Sequence, residues 1–196
     1  MATVEPIRSR EDAELLIQYM YEESAEKEEL RIRNAMIVLI GLNAGFRVGD
    51  IVKLQRKNIH GWHIDINDQK TNKHTRRKLS GELKERLVEY VKDMKPDDYL
   101  FPSREKKGKG KTKKRHQHIS TNTVYKIVKK AAEDLGIENI ATHSFRKTFG
   151  RDVYEQEKDI VIVMEMLNHS SQAICLRYIG KKQDSHDKVM KKFKGY

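Results

Sequence analysis

Between Thr142 and Gly180 the chain sets out a group of side chains suited to one kind of substrate. His143 and Arg146 lie three residues apart, His169 sits in Leu167-Asn168-His169-Ser170-Ser171, and Tyr178 sits in Arg177-Tyr178-Ile179-Gly180. On a helix, positions i and i+3 share a face, so His143 and Arg146 project together. A guanidinium fork matches two phosphate oxygens, an imidazole donates or relays a proton, and a phenol can act as a nucleophile. The set suits a phosphate ester, although each residue alone is more often an ordinary surface or core residue.

Two further cations stand out in the first half of the chain. Arg47, in Gly45-Phe46-Arg47-Val48-Gly49-Asp50-Ile51, follows a glycine that reads as a helix C-cap. It opens a short helix whose Val48, Ile51, Val52 and Leu54 point inward, an odd setting for a solvated charge. Lys70, in Gln69-Lys70-Thr71-Asn72-Lys73, falls at the tip of an expected hairpin.

The elements that must position these residues follow from cap signals and periodicity. Residues 1–8 read as an extended lead-in, with Pro6 keeping Glu5 out of helix. Ser9 caps a helix through Leu15, Leu16, Tyr19 and Met20. A second helix from about Lys27 is apolar nearly all round in its later half, from Ala35 to Leu42, and should be the central core helix. From Asn58 to Leu79 the pattern alternates: Trp62, Ile64 and Ile66 share one strand face, Asn67-Asp68 reads as a turn, and Thr75 to Leu79 returns as the partner. Ser80 caps a helix with Leu83, Leu87, Val88 and Val91 as its buried stripe. Ser120 caps another, and Thr142 is expected to cap the helix of His143 and Arg146. Asp159 opens an apolar segment from Ile160 to Leu167. The fold class expected is α+β, mainly α-helical, with a small antiparallel β-sheet or hairpin near residues 58–79.

A run between Pro102 and His118 carries Arg104, Lys106, Lys107, Lys109, Lys111, Lys113, Lys114 and Arg115 against one acid, Glu105. Such a run repels itself and has nothing to bury, so a loop that contacts a phosphate backbone and a merely solvated loop are both open readings. With 196 residues the chain can bury one sizeable core, and its net charge of +11 attracts polyanions, nucleic acid foremost. The single Cys175 forms no intrachain disulfide and fits the reducing cytoplasm. No apolar run approaches the roughly 18 residues of a membrane span, and no signal pattern opens the chain. The pairs His60/His63 and His116/His118 lack a third ligand, so no metal site is expected.

Taken together, Arg47, Lys70, His143, Arg146, His169 and Tyr178 resemble, in order and spacing, the catalytic domain of tyrosine recombinases, the phage integrase family. Each piece is weak alone, but all six occur in order, and the likeness covers about 9–196. It implies a single catalytic domain spanning 1–196 and a site-specific recombinase or integrase. Such an enzyme works through a 3′-phosphotyrosyl intermediate at Tyr178, with no metal or nucleotide cofactor. By the same resemblance Arg47 and Arg146 clamp the non-bridging oxygens and Lys70 protonates the leaving 5′-oxygen. His143 assists proton transfer, His169 donates to the phosphate, and Asp50 buttresses the site. The implied partners are double-stranded DNA and further copies of the chain, a tetramer on DNA, joined through the C-terminal segment 184–196. There are two departures: Asn168 stands where a glycine is usual, and the family's separate N-terminal helical domain has no counterpart ahead of Ser9. DNA relaxation of the type IB topoisomerase kind, or a non-catalytic DNA-binding module retaining the fold, are the alternatives.

Overall fold

The computed structural model describes residues 4–68, 73–103 and 117–193. Ser9 opens α1 (Arg10–Glu22) by accepting from the Asp12 N–H at 3.3 Å. After it, α2 (Glu28–Ala44) runs through the centre of the body, with Ala35, Met36, Ile37, Val38, Leu39 and Ile40 all buried. A helix apolar on every side must be covered on every side. Here α1, α4, α6 and the short α3 supply the cover.

Gly45 ends α2 in the left-handed region at φ 67°, where only a residue without Cβ is unstrained. A Cβ there would also stand 2.2 Å from the Phe149 ring. The chain turns at once into α3 (Val48–Ile51), with Arg47 as its N-cap residue. A 3₁₀ turn (Arg56–Asn58) leads to the sheet β1 (Ile59–His60), β2 (His63–Asn67) and β3 (His74–Lys78), antiparallel in the order β1-β2-β3. Asp65 pairs with Arg76 and Ile64 with Arg77. The expected hairpin is therefore present, but Trp62 is not on its buried face. The strand begins at His63 and Trp62 stays in the turn beside Gly61 (φ 57°), with the Lys84 ammonium 3.5 Å above its ring.

Then come α4 (Gly81–Tyr90), α5 (Thr121–Asp134), α6 (Thr142–Glu157), α7 (Ile160–Met166), α8 (Gln172–Tyr178) and α9 (Lys181–Lys192). Ser80, Ser120 and Asp159 each cap as expected, whereas Ala141, not Thr142, holds the N-cap position of α6. Ser144 reaches back from the first turn to accept from the Ala141 N–H at 3.2 Å, so Thr142 is already inside the helix. Val88 faces outward at 49% exposure, since the α4 stripe is Leu83 and Leu87 with Val91 beyond it.

Two apolar clusters result. The main one joins α1 to α5 with the sheet and reaches Phe145 of α6. A smaller one contains Phe149, Val163, Leu167, Cys175 and Ile179, and it supports α7 and α8. Helix α6 spans both, one turn apart. Gly150 is required at the second: a Cβ there would lie 2.7 Å from Leu167 Cδ1 and 3.0 Å from Ile179 Cγ2. Among the described residues no helix is long and apolar enough to cross a membrane.

Candidate active site

The site lies where the two clusters meet, and its centre is Arg146. Its side chain is buried, with Nη1 donating to the Gly45 carbonyl and Nη2 to the Leu167 carbonyl. Those carbonyls belong to the ends of α2 and α7, where a helix leaves its last C=O groups without partners in the helix. Burial and the nearby charge of Arg47 lower the affinity of Arg146 for its proton, while Tyr178, Asp68 and Asp50 oppose that shift. The two arginines are thus close enough to repel.

Arg47 is held differently. Its Nη1 forms an ion pair with the Asp68 carboxylate, which is almost wholly buried at the end of β2. The Asp68 N–H bonds the Lys73 carbonyl at 2.9 Å and closes the base of the hairpin. Expected only as part of a turn, Asp68 instead faces the clamp. Asp50 is buried one turn into α3, and its charge helps stabilise the Arg146 cation.

Tyr178 closes α8 over this pair. Its ring meets the His169 ring edge-on, with centroids 4.9 Å apart, and the Lys147 ammonium lies 5.3 Å from its centroid. Burial pushes the phenol above the ordinary tyrosine range, while the charges of Arg146 and Arg47 and a hydrogen bond from Arg146 pull it back. The phenol thus lies within the field of both guanidinium groups. His169 is half-buried, and its N–H bonds the Met164 carbonyl at 2.8 Å. Asn168, just before it, takes φ 49°, a left-handed conformation that asparagine tolerates. Its amide donates to Thr75 Oγ1 at 3.3 Å, so the residue in the place of a glycine also ties this corner to β3.

Arg47, Arg146, His169, Tyr178 and Asp50 are thus gathered at one place. His143 lies one turn before Arg146 on α6, exposed. Lys70 and the basic series Arg104, Lys106, Lys107, Lys109, Lys111, Lys113, Lys114 and Arg115 lie outside the described residues. Three residues of this corner escape a reading of the sequence: Asp68, Arg77 and Lys147. Lys147 donates to the Val4 carbonyl at 2.6 Å while lying over Tyr178, so the lead-in at 4–8 is bound beside the phenol. Ile7 adds a buried bond from its N–H to Thr148 Oγ1 at 2.8 Å.

Residues 9–185 match the model of the phage integrase family. The chain is 35% identical over 196 residues to a probable integrase/recombinase of Bacillus subtilis, YoeC, covering all of this chain and 99% of the relative. Among solved structures, the XerA recombinase superposes with a TM-score of 0.69 at 20% identity, over 96% of this chain and 65% of that one. The XerH recombinase, bound to its difH substrate before cleavage, superposes with a TM-score of 0.69 at 19% identity, over 90% of this chain and 51% of that one. The present chain thus spans about two thirds of the XerA chain and half of the XerH chain.

Proposed function

This chain belongs to the phage integrase family, and we propose that it cuts and rejoins DNA strands through a covalent 3′-phosphotyrosyl bond at Tyr178. It is a site-specific DNA recombinase of the tyrosine type. One observation supports the assignment of residues: Tyr178 lies edge-on to His169 at 4.9 Å and within the field of Arg146 and Arg47.

The chemistry follows from the charges. Attack on a phosphodiester builds negative charge on the non-bridging oxygens, and fixed guanidinium donors stabilise it without reorganisation. Tyr178 Oη forms a bond to phosphorus, the bond to the 5′-oxygen breaks, and the departing oxygen takes a proton. Lys70 is assigned that proton donation, as a general acid, and His143 assists removal of the phenol proton. His169 donates to a non-bridging oxygen from beside the ring, and Asp50 supports the arginines. The phosphotyrosine keeps the energy of the bond that was broken, so a 5′-hydroxyl from another strand reverses the step and joins new partners. No cofactor is consumed.

Double-stranded DNA is the substrate, and the basic series at 104–115 supplies backbone contacts. The family relatives solved on DNA include XerH with difH and a λ integrase dimer on a core site. We infer further that the chain assembles on DNA as a homo-oligomer, a tetramer at synapsis, through its segment 184–196. Met190 and Phe193 support this, since they stand 63% and 59% exposed at the end of α9. The chain acts in the cytoplasm, where its lone buried thiol stays reduced.

A suicide substrate, nicked so that the released fragment diffuses away, tests the assignment. The wild-type protein traps as a covalent protein–DNA adduct and Tyr178→Phe gives none. An adduct surviving in Tyr178→Phe overturns it, and relaxation of plasmids without site preference replaces recombination by a topoisomerase activity.

A further inference from the structure

Arg77 lies on β3, directly across the ladder from Ile64 and on the face turned into the protein. Its Nε donates to the Ala44 carbonyl at 3.2 Å and its Nη2 to the Met166 carbonyl at 2.7 Å. Its guanidinium also lies 5.3 Å from the centroid of Phe149. These contacts repeat those of Arg146 one residue earlier at each helix end. Arg146 bridges Gly45 and Leu167, while Arg77 bridges Ala44 and Met166. Two guanidinium groups therefore form successive rungs between the end of α2 and the end of α7.

What those ends carry gives the ladder its meaning. Three residues beyond Ala44 is Arg47, and three residues beyond Met166 is His169. One end belongs to the main apolar cluster and the other to the small one. Their separation sets the distance between the first arginine of the clamp and the imidazole beside the nucleophile. Arg146 gives one N–H of each terminal nitrogen to a carbonyl and keeps its remaining N–H groups for the phosphate, so a second bridge between the same two ends holds their separation while Arg146 engages substrate. Arg77 touches no group that reacts. Both of its acceptors are backbone carbonyls, so it fixes main chain rather than any side chain of the site.

We propose that Arg77 is a positioning residue for strand cleavage: it fixes the α2 and α7 ends so that Arg47, Arg146 and His169 converge on one phosphate. Lysine can reach one of the two carbonyls at a time and cannot bridge both, since it lacks the planar fork. Its burial beside Arg146 holds the Arg77 proton affinity down, to a pKa of about 10, which leaves it charged at neutral pH.

The proposal rests on the cleavage reading above, and its test separates the two. Single-turnover adduct formation is measured on a suicide substrate at saturating DNA, for wild type, Arg77→Met and Arg77→Lys. Each is run with an ordinary scissile phosphate and with a methylphosphonate there, which carries no charge and leans less on the clamp. A displacement of about 1 Å costs on the order of 10²-fold, so Arg77→Met should lose about that on the phosphate, with DNA affinity within a few-fold. On the methylphosphonate the loss should shrink below about tenfold, and Arg77→Lys should lie between. A protein that is merely less folded loses equally on both substrates, so the ratio of the two rates within one preparation does not depend on the folded fraction. Equal losses on both substrates, or wild-type cleavage by Arg77→Met, overturn the proposal. Absence of adduct from the wild type overturns the cleavage reading instead.

Discussion

The two apolar clusters differ in size and in what they carry. The main cluster fixes Arg47, Asp50 and the hairpin base at Asp68. The small one, five buried side chains with α7 and α8 laid over them, fixes His169 and Tyr178. On the function proposed, the phosphate clamp is thus built on the large core and the nucleophile on an annex. A few buried contacts give a low local opening energy, which is where proteins place parts that must move. In the strand exchange proposed, the tyrosine passes from a hydroxyl to a phosphodiester and back, whereas the arginines need only wait. The seam between the clusters is crossed by α6 and by the rungs of Arg77 and Arg146. The seam is doubly bridged and the annex thinly supported.

The largest effect expected is at the seam. Arg146→Met removes a clamp donor, worth roughly 10²–10³-fold in rate, and leaves two buried carbonyls without donors, about 1–3 kcal/mol each. Arg47→Met should lose as much rate with far less loss of stability, provided Asp68→Asn is made with it so that no buried carboxylate is stranded. Urea unfolding of the two proteins, beside adduct assays, checks this. Equal stabilities would mean that Arg146 does not join the clusters. Next in size is a test by volume. Gly150→Ala places a methyl against Leu167 and Ile179, and Gly41→Ala places one 2.9 Å from Phe145 Cβ in the main cluster. The first should cut adduct formation by about tenfold or more with a small change in Tm. The second should lower Tm and leave the rate per folded molecule nearly unchanged. The reverse pattern would break the distinction between core and annex.

Much of the frame could be read from residues because the cap signals and the all-round apolar run of α2 are local. Arg47, Arg146, His169 and Tyr178 were legible for another reason: their types and order carry chemistry. What stayed hidden depends on long-range packing. Asp68 looked like a turn residue, and only the return of the hairpin against α3 turns it onto Arg47. Arg77 sits in Thr75-Arg76-Arg77-Lys78, which reads as a solvated basic strand. A signal was present, since Arg77 shares its strand face with Thr75 and Leu79 rather than with Arg76, and alternation puts that face inward. Trp62 misleads the other way, because it continues the apolar alternation one residue ahead of the strand, which begins at His63. Lys147 could not be foreseen, as its partner is a backbone carbonyl of the lead-in.

A smaller effect reports whether the annex opens alone. Burial pushes the Cys175 thiol up to about 11, so at pH 7.5 its thiolate is scarcer than that of an ordinary cysteine by on the order of 10²-fold. Thiol labelling of the native protein should therefore be slow, and its rate should rise in mild urea well before the main core unfolds. Labelling that tracks only global unfolding would show that the two clusters are one cooperative unit.

The smallest effect is at the outer edge of the annex, where Glu155 of α6 accepts from Lys158 at 2.6 Å and from Lys181 at the start of α9. These bonds, with Lys158 the first cause, hold its carboxyl down to about 2 against an ordinary 4.5. A folded-state pKa below the unfolded one means stability that is present above the unfolded value and is lost as pH falls through the folded one. The contribution is therefore complete above about pH 4.5 and gone near pH 2. Because the group is exposed, the gain is modest. Thermal unfolding of wild type and Glu155→Gln should differ slightly at pH 6–7, and that gap should close between pH 4.5 and about 2. If the tether secures only the annex, the gap should appear in amide exchange at Ile179 and Gly180 and not at α2. A gap of equal size in α2 would mean that the edge of the annex is felt throughout the main core, and the two regions would then have to be treated as one.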